Sequence, residues 1–273
     1  MDRAPRASIR LAAGDDMRLM WQNMIDVSGV VVTAGSENAD LPVSNLIHPH
    51  RGKVYRTGVS VAAEWVKFDF GSPKAVRDII ILAHDLQVGD SAIKIQGNAT
   101  DSWGAPSVDQ VVTYNPYVMA HHFPEDQMYQ WWRFIFTKGA AAETRDIGRI
   151  YLGPSYECER GPAMPGGLKI TPDDYSVTDS TPDGVSYSDI RPIRNMVSVR
   201  FPPVSDAQME QLKALASACG THTPFFVSIV PASKPYDLLY YVKARSLKGR
   251  ELELAGPGGP RKWQAELELA EDI

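Results

Sequence analysis

Apolar residues along the chain follow two different patterns. From residue 29 to about 155 they come in short runs with a period close to two. Gly29 to Thr33 is β-branched, and Glu64 to Phe70 sets Trp65, Val66, Phe68 and Phe70 among charged Lys67 and Asp69, before the breakers Gly71 and Pro73. Val76 to Ala83 is almost continuously apolar, Ala92 to Gly97 alternates about Ile93 and Ile95, and Val108 to Tyr114 reads alike. Trp131 to Thr137 places Trp132, Phe134 and Phe136 on one face, and Asp146 to Leu152 supplies a further strand. Residues two apart in a strand share a face, so these are half-buried strands, with the run at 76–83 short enough for a central one. Met17 to Val27 reads as a short helix or irregular lead-in, and the turn-rich stretch Leu41 to Thr57 as a long loop. Many short strands with no helix of any length between them predict a β-sandwich, with Trp65, Trp132, Phe134 and Phe136 as core.

Beyond residue 155 the pattern changes. Ser155 to Asp189 is loaded with Pro, Gly, Asp and Ser and reads as a linker and extended arm, with one short strand near Tyr175 to Val177. Arg194 to Phe201 is a strand stopped by Pro202 and Pro203. Ser205 then caps a helix: Gln208 stands in the capping-box position, Met209, Leu212, Leu215, Ala216 and Cys219 form an apolar stripe, and Gly220 ends it. Phe225 to Val230, Leu238 to Ala244, Arg250 to Leu254 and Lys262 to Leu269 are four further strands, with Gly256-Pro257-Gly258-Gly259-Pro260 as a hairpin loop. The expected class is all-β with one packed helix. An arm at 1–16 precedes a jelly-roll β-sandwich at 17–155, a linker at 156–189, and a small β-sandwich or barrel at 190–273.

Composition changes this picture little. With 273 residues, 44% apolar and 22% charged, the chain is long enough for two domains that each bury a core. A formal net charge of -5 leaves no basic footprint, so no nucleic-acid partner is expected. No apolar run approaches the roughly 20 residues of a membrane helix, and no apolar core follows Arg3, Arg6 and Arg10, so neither membrane insertion nor a secretory leader is expected. Cys158 and Cys219 fall in different expected domains without metal-type spacing, which suits a reducing cytoplasm.

Two stretches carry a family resemblance. Met20-Trp21-Gln22-Asn23, Pro42-Val43-Ser44-Asn45-Leu46, Glu64-Trp65-Val66-Lys67-Phe68-Asp69-Phe70-Gly71, the run Ile79 to Leu86 and the closing Ile147 to Pro154 resemble the discoidin or galactose-binding-like domains of phage and prophage tail proteins. The capped helix and the terminal strand Lys262 to Glu271 resemble the ring-forming domain of distal tail and tail-tube proteins. The resemblance implies a structural component of a long-tailed bacteriophage tail tip: a homo-oligomer, expected as a six-fold ring, joining the tail tube to the tip or baseplate. Its partners would be tail-tube and tip or hub proteins, and its place the virion, after assembly in the bacterial host cytoplasm. Distal tail proteins commonly place the ring domain first, whereas here the sandwich precedes it.

No set of residues in the sequence points to catalysis, a cofactor or a metal. Asp15 with Asp16 and Asp173 with Asp174 are neighbours that point apart in an extended chain, not a glycosidase pair. His48 and His50 flank Pro49 with no third ligand near them, and His121 and His122 fare no better. No nucleophile elbow, His-Glu-x-x-His helix or Walker loop is present. The chain is therefore expected not to be an enzyme, with a glycosidase as the poorest reading. The alternative function is a carbohydrate-binding adhesion module contacting the bacterial cell surface. Trp103 sits in the turn-rich loop Asp101 to Pro106, where a planar ring beside polar groups suits sugar stacking. Discoidin-like domains bind ligands at the loops of one end, so the resemblance adds Arg51, Tyr117 and His121 as glycan- or partner-binding candidates.

Overall fold

The computed structural model describes residues 17–163, 166–232, 234–252 and 262–272. The expected arm at 1–16 and the glycine cluster at 256–260 lie outside the described residues. The chain forms two compact units, one of Met20–Tyr156 with Thr223–Phe225, the other of the residues up to Leu19 with Glu157–His222 and Phe226–Asp272. Among the described residues it is all-β with one α-helix.

After β1 (Arg18–Met20), the strands of the first unit are β2 (Val31–Ala34), β3 (Tyr55–Arg56), β4 (Ala63–His84), β5 (Ser91–Asn98), β6 (Val108–Val111), β7 (Val118–Thr137) and β8 (Asp146–Gly153). The sequence reads 64–70 and 76–83 as separate strands broken at Gly71 and Pro73, but they are one strand of 22 residues. Its partner β7 is likewise continuous over 20 residues. The two run antiparallel along their whole length, with Phe68 opposite Trp132, a register break after Asp69, and Ile79 opposite His121. The first half of β4 also pairs with β2, and its second half with β8. Both strands therefore pass from one sheet (β2-β4-β7-β5-β6) into the other (β7-β4-β8-β3), giving a jelly-roll sandwich. Gly71 turns the corner at φ +69°, a left-handed conformation that glycine adopts without penalty, and donates its N–H to Asp69 Oδ1 at 2.8 Å. The breaker pair bends the strand without ending it because β7 continues the ladder on both sides.

Val66, Phe68 and Phe70 of the first sheet meet Ile79, Ile81, Ile150 and Leu152 of the second in one core with Ile95, Trp132, Phe134 and Phe136. Trp132 is wholly buried and lies across Gly97, where a Cβ would come within 3.1 Å of the indole. Trp65 departs from expectation: the inward set is Glu64, Val66, Phe68 and Phe70, so Trp65 points outward with Lys67 and Asp69. Buried Glu64 takes the place an apolar residue would have. Its carboxylate accepts from Ser36 Oγ at 2.7 Å and meets Lys138 Nζ at 3.0 Å, with both charged side chains fully buried. Lys138 also donates to the Gly58 carbonyl at 2.7 Å. A second buried pair, Arg145 with Asp90 at 2.7 Å, ties the loop before β5 to the one before β8.

The second unit holds β9 (Tyr156–Glu157), β10 (Leu168–Asp174), β11 (Val177–Ser180), β12 (Ser186–Asp189), β13 (Ile193–Arg200), α1 (Asp206–Cys219), β14 (Phe225–Ser228), β15 (Leu239–Leu252) and β16 (Lys262–Glu271). Its seven-stranded sheet has the order β10-β13-β16-β15-β14-β1-β9. The stretch read as a linker thus supplies the edge strand β10 and the separate hairpin β11-β12, held by four antiparallel pairs. The strands expected at 238–244 and 250–254 are a single strand, bulged between Ala244 and Ser246. Ser205 caps α1 as the sequence predicts, accepting from the Gln208 N–H at 3.2 Å, and Gly220 follows at φ +54°. The capping box is not closed, because buried Gln208 turns its amide to the Arg160 backbone instead. Cys158 and Cys219 are both buried thiols outside any disulfide, and both belong to this unit rather than to different domains. Burial pushes the Cys219 thiol up to about 11. No helix among the described residues is long and apolar enough to cross a membrane.

Candidate functional site

The strand register lays out the outer face of the first sheet row by row. Residues directly opposite one another in a ladder share a face. One row crosses all five strands as Thr33, Lys67, Arg133, Gln96 and Asp109. The row on one side carries Trp65, Ile135, Lys94 and Val111, and the row on the other carries Val31, Asp69, Trp131 and Asn98. This face is polar and aromatic where the inner face is apolar apart from Glu64, and it is where three of the chain's tryptophans gather.

Lys67 stands between two of them, its ammonium 5.5 Å from the Trp65 ring centre and 5.4 Å from that of Trp131. The two rings are therefore within about 11 Å of each other, each supplying its quadrupole to the same cation. The loop 99–107 folds back over the face, so that Trp103 covers Arg133 with 4.5 Å between guanidinium and ring centre. Asp101 fixes that loop. It accepts from Lys67 Nζ at 2.7 Å and from Trp103 Nε1 at 2.6 Å. The Lys67 hydrogen bond, reinforced by that of Trp103, holds the Asp101 carboxyl below the usual carboxylate range. Asp109 is held down in the same way by Lys94 at 2.8 Å and by Gln96. Gln96 donates to Asp109 at 3.0 Å while its carbonyl accepts from Arg133 Nη2 at 2.6 Å and Nε at 3.0 Å. The result is a hydrogen-bonded polar strip flanked by indoles that are each part-exposed.

Of the four glycan- or partner-binding candidates read from the sequence, Trp103 belongs to this face and the others do not, while Trp65, expected in the core, belongs to it as well. The carbonyl of Arg51 lies against Gly148, and Tyr117, 81% exposed, directly precedes Val118, which pairs with Leu82. Both are thus at the end of the second sheet. His121 lies within that sheet opposite Ile79, its ring edge-on to Phe123 at 4.6 Å, and burial lowers its pKa. Its neighbour His122 faces the other way, with Nδ1 3.0 Å from Asp78 Oδ2. The four candidates form no single site. His50 Nδ1 accepts from the Gly52 N–H at 3.3 Å, and no group of three His, Cys, Asp or Glu among the described residues is placed to hold a metal.

Lys67, Gln96, Asp109, Trp131 and Arg133 are the members that sequence reasoning missed. The signal was the parity of 64–70, in which Trp65 shares its face with Lys67 and Asp69. Gly35 supports the outward position, since a Cβ there would come within 2.8 Å of the Trp65 Nε1.

No protein-family model and no curated protein matches the chain. Solved structures similar to it include the family 32 CBM from Clostridium perfringens NanJ in complex with galactose, at 12% identity and a TM-score of 0.39, covering 51% of this chain and 99% of that one. A Streptococcus pneumoniae fucose binding module gives 11% identity and a TM-score of 0.40, covering 49% and 95%. Chitosan-binding module 1 from a Paenibacillus chitosanase/glucanase gives 14% identity and 0.39, covering 49% and 99%. With identities and scores this low, the fold is read from the strand topology and not from the likeness.

Proposed function

We propose that the first unit is a non-catalytic carbohydrate-binding module and that its binding surface is the outer face of the β2-β4-β7-β5-β6 sheet. The observation that supports this reading is the grouping of Trp65, Trp131 and Trp103 around the strip Lys67, Arg133, Gln96 and Asp109. Flat apolar rings suit the C–H faces of a sugar, and the donors and acceptors beside them suit its hydroxyls. Two carboxylates of the face are also poorly suited to glycoside hydrolysis. Asp101 and Asp109 are each tied to a lysine and held ionised, so neither can act as the protonated acid of a glycosidase pair.

Binding of the protein to an immobilised glycan library, followed by calorimetry on the strongest ligand, tests the reading. Trp131→Ala and Trp103→Ala are each expected to weaken binding tenfold or more, about 1.4 kcal/mol, without a matching loss of melting temperature. Undiminished affinity in both variants would remove this face from consideration.

A second reading, the tail-tip ring component that the resemblance implies, draws support from the hairpin β11-β12. A two-stranded hairpin is marginal in water by itself. This one and its flanks expose Val177 (51%), Val185 (63%), Tyr187 (59%), Ile190 (85%) and Ile193 (60%), apolar side chains that a second copy of the chain could cover. Under this reading the protein sediments as a closed oligomer, and deletion of 177–189 reduces it to monomers. A monomer at high concentration sinks it.

A further inference from the structure

On the outer face three cations, Lys67, Lys94 and Arg133, meet three carboxylates, Asp69, Asp101 and Asp109, yet Arg133 has no carboxylate hydrogen-bonded to it. Each of the two aspartates in the central network already has its own lysine, Asp101 with Lys67 and Asp109 with Lys94. Asp69 lies one row away, its Oδ1 taken by the Gly71 N–H at 2.8 Å and Gln130 Nε2 at 2.8 Å. Arg133 is the third cation, and its hydrogen-bond acceptor is the neutral carbonyl of Gln96. That carbonyl engages Nε and one Nη2 hydrogen, which leaves the Nη1–Nη2 edge of the guanidinium without an acceptor among the described residues. Lys67 stands directly opposite it on the neighbouring strand, its ammonium already paired with Asp101. Burial disfavours the charge on Arg133, while Asp101 and Asp109 favour it.

Resting on the carbohydrate-binding reading above, we propose that this face takes an acidic glycan, with the carboxylate of a uronic acid residue on the free edge of Arg133 and neighbouring sugar rings on Trp131 and Trp103. A planar carboxylate matches the guanidinium fork with two parallel N–H···O bonds, and this geometry distinguishes it from a neutral hydroxyl. The bound anion supplies the acceptor that the fold itself leaves out.

The test compares oligogalacturonate with neutral cello-oligosaccharides of the same length, using calorimetry on the whole chain at low and high salt. The uronate oligomer is expected to bind at least tenfold more tightly, with the margin shrinking as salt rises. Arg133→Gln should abolish that margin at an unchanged melting temperature, and Arg133→Lys should restore only part of it, because an ammonium cannot form the fork. Equal affinity for the two oligomers, or a margin that survives Arg133→Gln, overturns this inference while leaving carbohydrate binding in place. Failure of both oligomers and of the glycan library to bind overturns the carbohydrate-binding reading itself.

Discussion

Trp132→Ala is expected to cost the sandwich about 3–5 kcal/mol and to lower its melting temperature by roughly 10 °C or more. Trp132 is the largest wholly buried side chain. It packs edge-on to Tyr129 and tilted against Phe123, both at 6.2 Å, and rests on Gly97 from the neighbouring strand. Deleting the indole opens a cavity bounded by two rigid sheets that cannot collapse into it, which places the cost at the upper part of the range. Trp132→Phe separates packing from polarity. The indole N–H has no hydrogen-bond partner among the described residues, so its removal leaves no acceptor stranded, and the smaller ring should cost far less. Thermal unfolding of both variants measures the difference. Equal melting temperatures for Trp132→Ala and the parent chain would contradict the core assignment.

Lys138→Met is expected to be comparably damaging, at about 3–5 kcal/mol, for a different reason. It leaves the Glu64 carboxylate fully buried with only the Ser36 hydroxyl to satisfy it. The double replacement Glu64→Leu with Lys138→Met removes both charges and should recover most of the loss, since a buried pair exchanged for apolar residues is often neutral. Denaturant melts of the single and double variants form the decisive comparison. A double variant as unstable as the single one would show that Lys138 acts through the Gly58 and Ala141 carbonyls rather than through Glu64.

Glu64 also marks the limit of what the sequence discloses. The strands themselves are legible, because alternation along Trp132, Phe134 and Phe136 or Ile93 and Ile95 is a local property of a half-buried ladder. The helix is legible too, from Ser205, its apolar stripe and Gly220. Reading failed where a local pattern depended on a distant partner. A charge at the inward position 64 is tolerable only because Lys138 arrives from 74 positions away, and without that knowledge Trp65 is the better inward candidate. Gly71 and Pro73 look like an end because nothing nearby reveals that β7 continues the ladder. The same limit hid most of the candidate site. Lys67, Gln96 and Arg133 are ordinary outward residues of three separate strands until the register sets them side by side. Trp103 alone stood out, since a large aromatic in a turn-rich loop lacks the usual reason for burial.

The passage of β4 and β7 through both sheets bears on how the sandwich opens. Where each layer has its own strands, one can loosen while the other stays paired. Here fraying either layer strains a backbone that the other layer is holding, so the two share one opening equilibrium. Amide protons in the paired interiors of both sheets are accordingly expected to exchange with a common free energy, as a single cooperative unit. The same connectivity makes the native pairings distant in sequence, with Ile81 meeting Ile150, so the molecule gains this unity at the cost of slow folding.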